Sequence, residues 1–252
     1  MNRNALTYLI KHEFKFRRRN CRNRKWYGIY GLAVAALIAF AYNFLHATII
    51  FQPTTLLFAV FIFPYAGFMR AMMTVSKEWK DGTYGWWLTL PYSRGTLLRA
   101  KYIASAMWMV IYGLIALAIT AVVGILTMWI QAPLEADAIF EFLKLIGLAY
   151  LFMYSIMPFI MGFGIFGSIV RYSKWKPAMP LIWVSYGLSA NLLSFVPALM
   201  SGEDNFDYTN MYQITGNSMT WLWLAVMLIC SLIVGNLMVW IASNIMKKQL
   251  TL

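Results

Sequence analysis

Side chains able to perform catalysis or hold a metal are few and dispersed in this sequence. The 252 residues include two histidines and nine acidic residues. His12 lies in a basic N-terminal stretch and His46 at the end of the first apolar segment, and neither belongs to an HExxH pair. Residues 162–168 read GFGIFGS, which lacks the lysine of a phosphate-binding loop and lies inside an apolar segment. We therefore expect no ATPase site, metal or cofactor on this chain.

The most informative polar stretch runs from residue 75 to residue 101 and reads VSKEWKDGTYGWWLTLPYSRGTLLRAK. Asp81-Gly82 predicts a helix stop, because glycine accepts the left-handed conformation that follows a helix C-terminus. Thr83 is placed to cap a short second helix, and Pro91 prevents that helix from continuing and pushes the residue before it out of helical geometry. Ser93 is placed to cap a third helix. The stretch is thus predicted to be a structured connector of helix, short cross-helix, turn and helix.

The short helix of this connector carries three large aromatic side chains, Tyr84, Trp86 and Trp87. An aromatic belt at the membrane interface, with basic anchors beside it, is an alternative explanation for the tryptophans. That alternative leaves the concentration of turn and cap signals unexplained. Arg99 and Lys101 follow at the start of the third helix, and we expect both to extend toward the interface by snorkelling.

Composition places the chain in a membrane. Hydrophobic residues make up 61% and charged residues 12%, whereas soluble domains are near half and a quarter. Each of six apolar segments has the roughly 20 residues needed to cross the hydrocarbon core, and helices are the expected spanning form. The predicted fold is an all-α integral membrane protein with a single domain over residues 1–252. Its spans are 26–45, 53–74, 102–130, 142–170, 177–200 and 219–246.

The distribution of charge predicts the orientation. All but one of the 21 Lys and Arg residues flank the spans on one side, if Arg70 is counted with the 75–101 connector. The exception, Lys144, falls on the side of most acidic residues. By the positive-inside rule both termini are cytoplasmic and the polar loop 201–218 is outside. Basic residues placed beside apolar spans argue against nucleic-acid binding despite the net charge of +12.

Residues 1–25 precede the first span. Within 4–19, a broad apolar face contains Leu6, Leu9, Ile10, Phe14 and Phe16, and lysines and arginines occupy the other side. This pattern predicts an amphipathic helix in the membrane interface, held by apolar burial and anionic lipid headgroups. Glu13 and Arg17 break the pattern. A basic, partly disordered arm is the alternative.

No ionisable residue is predicted to lie deep within a span, which argues against proton- or sodium-coupled transport. Small residues recur at helix-packing spacing, among them Gly164/Ser168 and Ser231/Gly235. Polar and sulfur-containing side chains could instead line a path for an amphipathic cargo, with ordinary helix packing as the alternative for each of them. These candidates are Tyr154, Met157, Ser185, Tyr186, Ser189 and Asn191.

The connector resembles that of type-2 ATP-binding-cassette exporter permeases. Glu78, Gly82-Thr83, Leu90-Pro91-Tyr92-Ser93-Arg94 and Lys101 are similar to the E…GT…LP.SR…K pattern of that family. The resemblance implies a coupling helix that sits in a cleft of a separate ATPase subunit, which binds ATP and Mg²⁺. It also implies a dimer with a second permease copy or paralogue. The residues that would form or brace the contact are Glu78, Gly82, Thr83, Trp86, Pro91, Ser93 and Arg94.

The resemblance further implies a function in export. The chain would be a multi-pass protein of a bacterial plasma membrane that moves a hydrophobic or amphipathic cargo, such as a peptide, an antibiotic or a lipid-like molecule, out of the cell. Two alternatives stay open at this point: a membrane-embedded lipid-modifying enzyme and a non-transporting assembly or sensor protein.

Overall fold

The computed structural model describes residues 6–13, 57–131, 135–188 and 218–249. Five helices have defined bounds, which we number α1 to α5: Leu57–Lys80, Tyr84–Thr89, Arg94–Gln131, Ala136–Arg171 and Ser218–Gln249. A 3₁₀ turn, Lys176–Ala178, follows α4 and leads into helical residues 179–188. Residues 6–13 form a further helical segment. Every regular element in these ranges is helical, as predicted.

Three of the helices, α3, α4 and α5, are long and apolar enough to cross a membrane. They contain the predicted spans 102–130, 142–170 and 219–246. Span 26–45 lies outside the described ranges, and spans 53–74 and 177–200 lie partly outside them. The count of six spans therefore stays a prediction. At about 1.5 Å per residue the 38 residues of α3 extend nearly 57 Å, so this helix is longer than a 30 Å hydrocarbon core requires.

Helix α4 is the centre of the bundle. In its most apolar window 72% of residues are buried, against 22% in the corresponding windows of α3 and α5. It packs against α1, α3 and α5. Because α4 has apolar side chains on all of its faces, it can pack against several neighbouring helices at once. The exposed apolar faces of α3 and α5 are what a lipid-facing or partner-facing helix presents.

Two glycines bring α4 and α5 into backbone contact. A Cβ atom on Gly162 would lie 2.5 Å from the carbonyl oxygen of Gly235, and a Cβ atom on Gly235 would meet the carbonyl of Pro158. On the other side of α4, a Cβ atom on Gly164 would lie 2.7 Å from the carbonyl oxygen of Phe68 in α1. The predicted role of small residues in helix packing is confirmed at these positions.

The connector and the C-terminal ends of α4 and α5 meet at one end of the bundle. Tyr172, which follows α4, stacks on Trp79 of α1 with ring centroids 4.7 Å apart. Arg94, at the start of α3, donates a hydrogen bond to the carbonyl of Met246 near the end of α5. The basic residues that follow α4 and end α5 therefore lie at the connector end. Glu135 and Asp137 begin α4 at the opposite end.

Candidate functional site

The connector has the backbone that its local signals predict. Helix α1 ends at Lys80, and Gly82 adopts a left-handed conformation with φ of 69°. Leu90, before Pro91, is extended, with φ −58° and ψ 141°, and so ends α2. Ser93 caps α3 through its Oγ, which accepts a hydrogen bond from the backbone N–H of Thr96 at 3.2 Å. Four short-range predictions are thereby confirmed.

The predicted cap at Thr83 is wrong in its detail. Thr83 occupies the N-cap position of α2, and its carbonyl accepts the N–H of Trp87 at 2.9 Å. Its hydroxyl, however, makes no capping hydrogen bond. The hydroxyl donates instead to Oε2 of Glu78 at 2.6 Å, because the left-handed turn at Gly82 folds Thr83 back onto the last turn of α1. Thr83 therefore starts α2 through its backbone, and its hydroxyl ties α2 to α1.

Lys101 is the second correction. We predicted that it would snorkel toward the interface, yet its side chain is only 1% exposed. Its Nζ lies 2.6 Å from Oε1 of Glu78 in α1 and 2.6 Å from Oε1 of Glu13 in the N-terminal segment. The indole ring of Trp87 in α2 covers the ammonium, with 5.2 Å between Nζ and the ring centroid. Two carboxylates and an aromatic face thus replace the water that snorkelling would have reached.

This buried cluster of Lys101, Glu78 and Glu13, which we term the ion triad, connects α1, α3 and the N-terminal segment at one point, and Trp87 adds a contact from α2. Burial alone raises the pKa of the Glu78 carboxyl, but the charge of Lys101 and the hydrogen bonds from Lys101 and Thr83 prevail and hold that pKa below its ordinary value of 4.5. Both carboxylates retain some contact with water, since the Glu13 and Glu78 side chains are 20% and 19% exposed. Loss of the lysine would leave two carboxylates facing each other.

Aromatic side chains fill the rest of the connector. Trp79 stacks on Tyr84 of α2, at 4.4 Å between ring centroids, as well as on Tyr172. Trp87 meets Trp79 edge-to-face and is buried. These rings hold α2 against the ends of α1 and α4 through apolar burial and ring contacts. The connector is therefore a packed unit and not a loose loop.

The seven predicted coupling residues divide into two groups. Gly82, Trp86 and Pro91 are exposed and lack side-chain hydrogen bonds in the residues that the structure describes, and Trp86 is 64% exposed. Glu78, Thr83, Ser93 and Arg94 use their polar atoms in contacts within the chain. The side chains of the second group, including the exposed Thr83 and Ser93, brace the shape of the connector.

A cleft of about 410 Å³ lies beside this surface, between the start of α3 and the last turns of α5. Its walls include Pro91, Ser93 and Arg99 on one side and Trp240 and Lys247 on the other. The hydrogen bond from Arg94 to the Met246 carbonyl links α3 and α5 beside the cleft. The cleft is open and carries the basic side chains of Arg99 and Lys247.

The predicted cargo-path residues that the structure describes contact several different helices. Tyr154 donates to the carbonyl of Val110 at 2.9 Å, between α3 and α4. Met157 is buried in the core, and Tyr186 stacks on Phe68 at 4.2 Å between ring centroids. Ser185 is half-buried. Ser189 and Asn191 lie outside the described residues. A path lined by this set stays a prediction.

Sequence reasoning missed Glu13. It was treated as a break in the amphipathic pattern, but it shares a helix face with Leu6, Leu9 and Ile10, which pack against the protein core. The prediction assigned that face to lipid, and within 6–13 the structure assigns it to the protein. The available signal was a lone acid among nine basic residues. Glu13 lies three, four and seven positions after Ile10, Leu9 and Leu6, which is the spacing of one helix face.

Comparison with known proteins gives one match. The family model described as "ABC-2 family transporter protein" matches residues 9–170, which include residues 9–13 of the N-terminal segment, the connector and most of α4. Neither the curated proteins nor the solved structures contain a match. The matched region contains all three residues of the ion triad.

Proposed function

This chain belongs to the ABC-2 transporter family as a transmembrane permease component, and from that premise we propose that residues 75–101 couple it to a separate ATPase subunit. The partner would bind ATP and Mg²⁺, and the permease would move a hydrophobic or amphipathic cargo out of the cell. In this proposal residues 1–252 form one permease domain, with 1–25 as a cytoplasmic segment, 75–101 as the coupling connector and 201–218 as an outer loop.

The observation that carries the proposal is the contrast between Trp86 and Trp87, adjacent residues on α2. Trp87 is 4% exposed and lies over Lys101. Trp86 is 64% exposed and points away from the bundle. A large aromatic side chain exposed on a fixed helix is typical of a binding hot spot, because tryptophan is enriched at such positions. A displacement of α2 at Trp86 would be transmitted through the ion triad to α1, α3 and the N-terminal segment.

The remaining parts of the proposal follow from family membership together with the charge distribution. The permease would work as a dimer, with a second copy or a paralogue, in a bacterial plasma membrane, and both termini would lie in the cytoplasm beside the ATPase subunit. The amphipathic character of the cargo is supported by the apolar exposed faces of α3 and α5, which give access from the lipid.

The coupling proposal is tested with the full-length chain reconstituted in nanodiscs with its ATPase subunit. Trp86→Ala is expected to lower the affinity of the two subunits by at least about tenfold, since hot-spot truncation costs about 2 kcal/mol or more. The permease-dependent change in ATP hydrolysis should fall in parallel. Co-purification yield and ATPase rate across a titration of the ATPase subunit measure both effects.

Trp129→Ala is the matched control. Trp129 is 65% exposed, like Trp86, but lies at the other end of α3. It should leave subunit affinity and ATP hydrolysis unchanged. Full coupling in the Trp86 variant, or equal losses in the two variants, would overturn the assignment of α2 as the coupling element.

A further inference from the structure

Arg70 is the one charged residue of α1 that lies far from its ends. We counted it with the connector in the charge distribution, although it falls within the predicted span 53–74. The structure places it in α1, ten residues before Lys80. At 1.5 Å per residue it is about 15 Å deeper than the end of α1. A charged side chain at such depth in an apolar bundle is by default a candidate functional residue.

Aromatic rings hold the guanidinium of Arg70. Its Cζ atom lies 5.9 Å from the ring centroid of Trp108 and 5.4 Å from that of Tyr112, both on α3. The two rings stack on each other, with centroids 5.6 Å apart and planes inclined by 27°. Cation–π contacts of this kind orient a guanidinium and favour its charge, but they leave its N–H donors unused.

The described residues provide no counter-ion for Arg70. No carboxylate among them lies within salt-bridge distance, and its buried Nε makes no hydrogen bond there. Glu13 and Glu78 pair with Lys101, and Asp81 pairs with Lys77. The other three described acids, Glu135, Asp137 and Glu141, lie at the start of α4, at the far end of α3. The last three acids of the sequence fall in the predicted outer loop.

The surroundings of Arg70 are apolar and accessible. Met73, three residues further along α1, is exposed, and so are Met107 and Ile111, which precede the two aromatic residues on α3. A free inorganic anion gains nothing from such a surface. A molecule that carries an anionic group on an apolar tail satisfies both a guanidinium that has no counter-ion among the described residues and the exposed apolar side chains.

We propose that Arg70, held by Trp108 and Tyr112, binds the phosphate or carboxylate headgroup of an anionic amphiphile that reaches it along the exposed apolar faces of α1 and α3. The planar guanidinium presents two parallel N–H donors to such an oxyanion group. This inference rests on the proposed function in one respect, which is that the amphiphile is taken to be the cargo. It deepens that function by specifying that the cargo is negatively charged.

The test measures binding to the full-length chain in neutral detergent, from the rise in unfolding temperature with ligand concentration. Three probes separate the sources of the anion: lysophosphatidylglycerol, lysophosphatidylcholine with the same tail, and glycerol phosphate without a tail. The wild-type chain should bind lysophosphatidylglycerol about tenfold more tightly than lysophosphatidylcholine, because the choline cation offsets the charge of the phosphate and weakens the charge-assisted contact to Arg70. Glycerol phosphate should bind far more weakly.

Two substitutions and a control complete the experiment. Arg70→Gln should abolish the preference for the anionic headgroup, and Arg70→Lys, which keeps the charge and the fold, should reduce it, because an ammonium lacks the planar fork. Lys80→Gln, an exposed cation at the end of the same helix, should leave the preference at its wild-type value.

An undiminished preference in both Arg70 variants would overturn the proposal. So would equal binding of glycerol phosphate and lysophosphatidylglycerol, which would mean a site for free anions. The assay contains neither ATP nor the ATPase subunit, so its failure is distinguishable from a failure of the coupling experiment.

Discussion

Lys101 and Arg70 are two cations that leave bulk water at the same end of the bundle, and they are compensated in opposite ways. Lys101 has two carboxylates at 2.6 Å, one from α1 and one from the N-terminal segment. Arg70 has two aromatic rings and no carboxylate from the described chain. A cation that is paired with carboxylates of the same chain holds helical segments together. A cation without such carboxylates is suited to binding an anionic ligand. The comparison separates a structural use of buried charge from a binding use.

The largest expected effect comes from Lys101→Met. This substitution retains an unbranched apolar stem but removes the ammonium and leaves Glu13 and Glu78 facing each other. Breaking a buried ion pair in this way destabilises a protein by roughly 3–5 kcal/mol. Because both carboxylates remain partly exposed, we expect about 3 kcal/mol. Denaturant unfolding in detergent micelles measures the loss, with Lys80→Met, an exposed lysine, as the control. Equal stability of the two variants would remove the ion triad as a stabilising element.

An intermediate effect is expected from acidic pH. The pKa of Glu78 is lowered in the folded chain, so this carboxylate contributes stability above its ordinary value of 4.5. That stability is lost as pH falls below 4.5 through the lowered pKa. Unfolding temperatures between pH 7 and pH 3 should therefore stay level first and then fall. The fall should be smaller in Glu78→Gln; a fall of equal size in that variant would assign the acid sensitivity to other groups.

The smallest expected effect on stability comes from Arg70→Met. The substitution removes two cation–π contacts but breaks no ion pair among the described residues, and methionine retains most of the apolar stem. We expect the free energy of unfolding to change by less than about 1 kcal/mol. A loss as large as that of Lys101→Met would mean that Arg70 has a structural counter-ion, and it would remove the contrast between the two cations. The same denaturant titrations measure both variants.

Local signals in the sequence predicted the connector well. A glycine, a proline and a serine fix its backbone through steric limits and one hydrogen bond, all within a few residues of each other. The ion triad could not be read in this way, because Glu13 and Lys101 are 88 residues apart in sequence. Lysines near helix ends commonly snorkel, and only the approach of the N-terminal segment and α2 makes Lys101 an exception. The ring partners of Arg70 are likewise distant in sequence, because Trp108 and Tyr112 lie on α3.

The contact of Gly162 with Gly235 has a mechanical consequence. Backbones that touch without intervening side chains cannot slide past each other by a helical step without a clash, so we expect α4 and α5 to move together. The connector contacts both helices near their C-terminal ends, through Tyr172 after α4 and through the Met246 carbonyl in α5. A displacement of the connector would therefore tilt the two helices together, and any opening of a passage would occur along the outer faces of this pair.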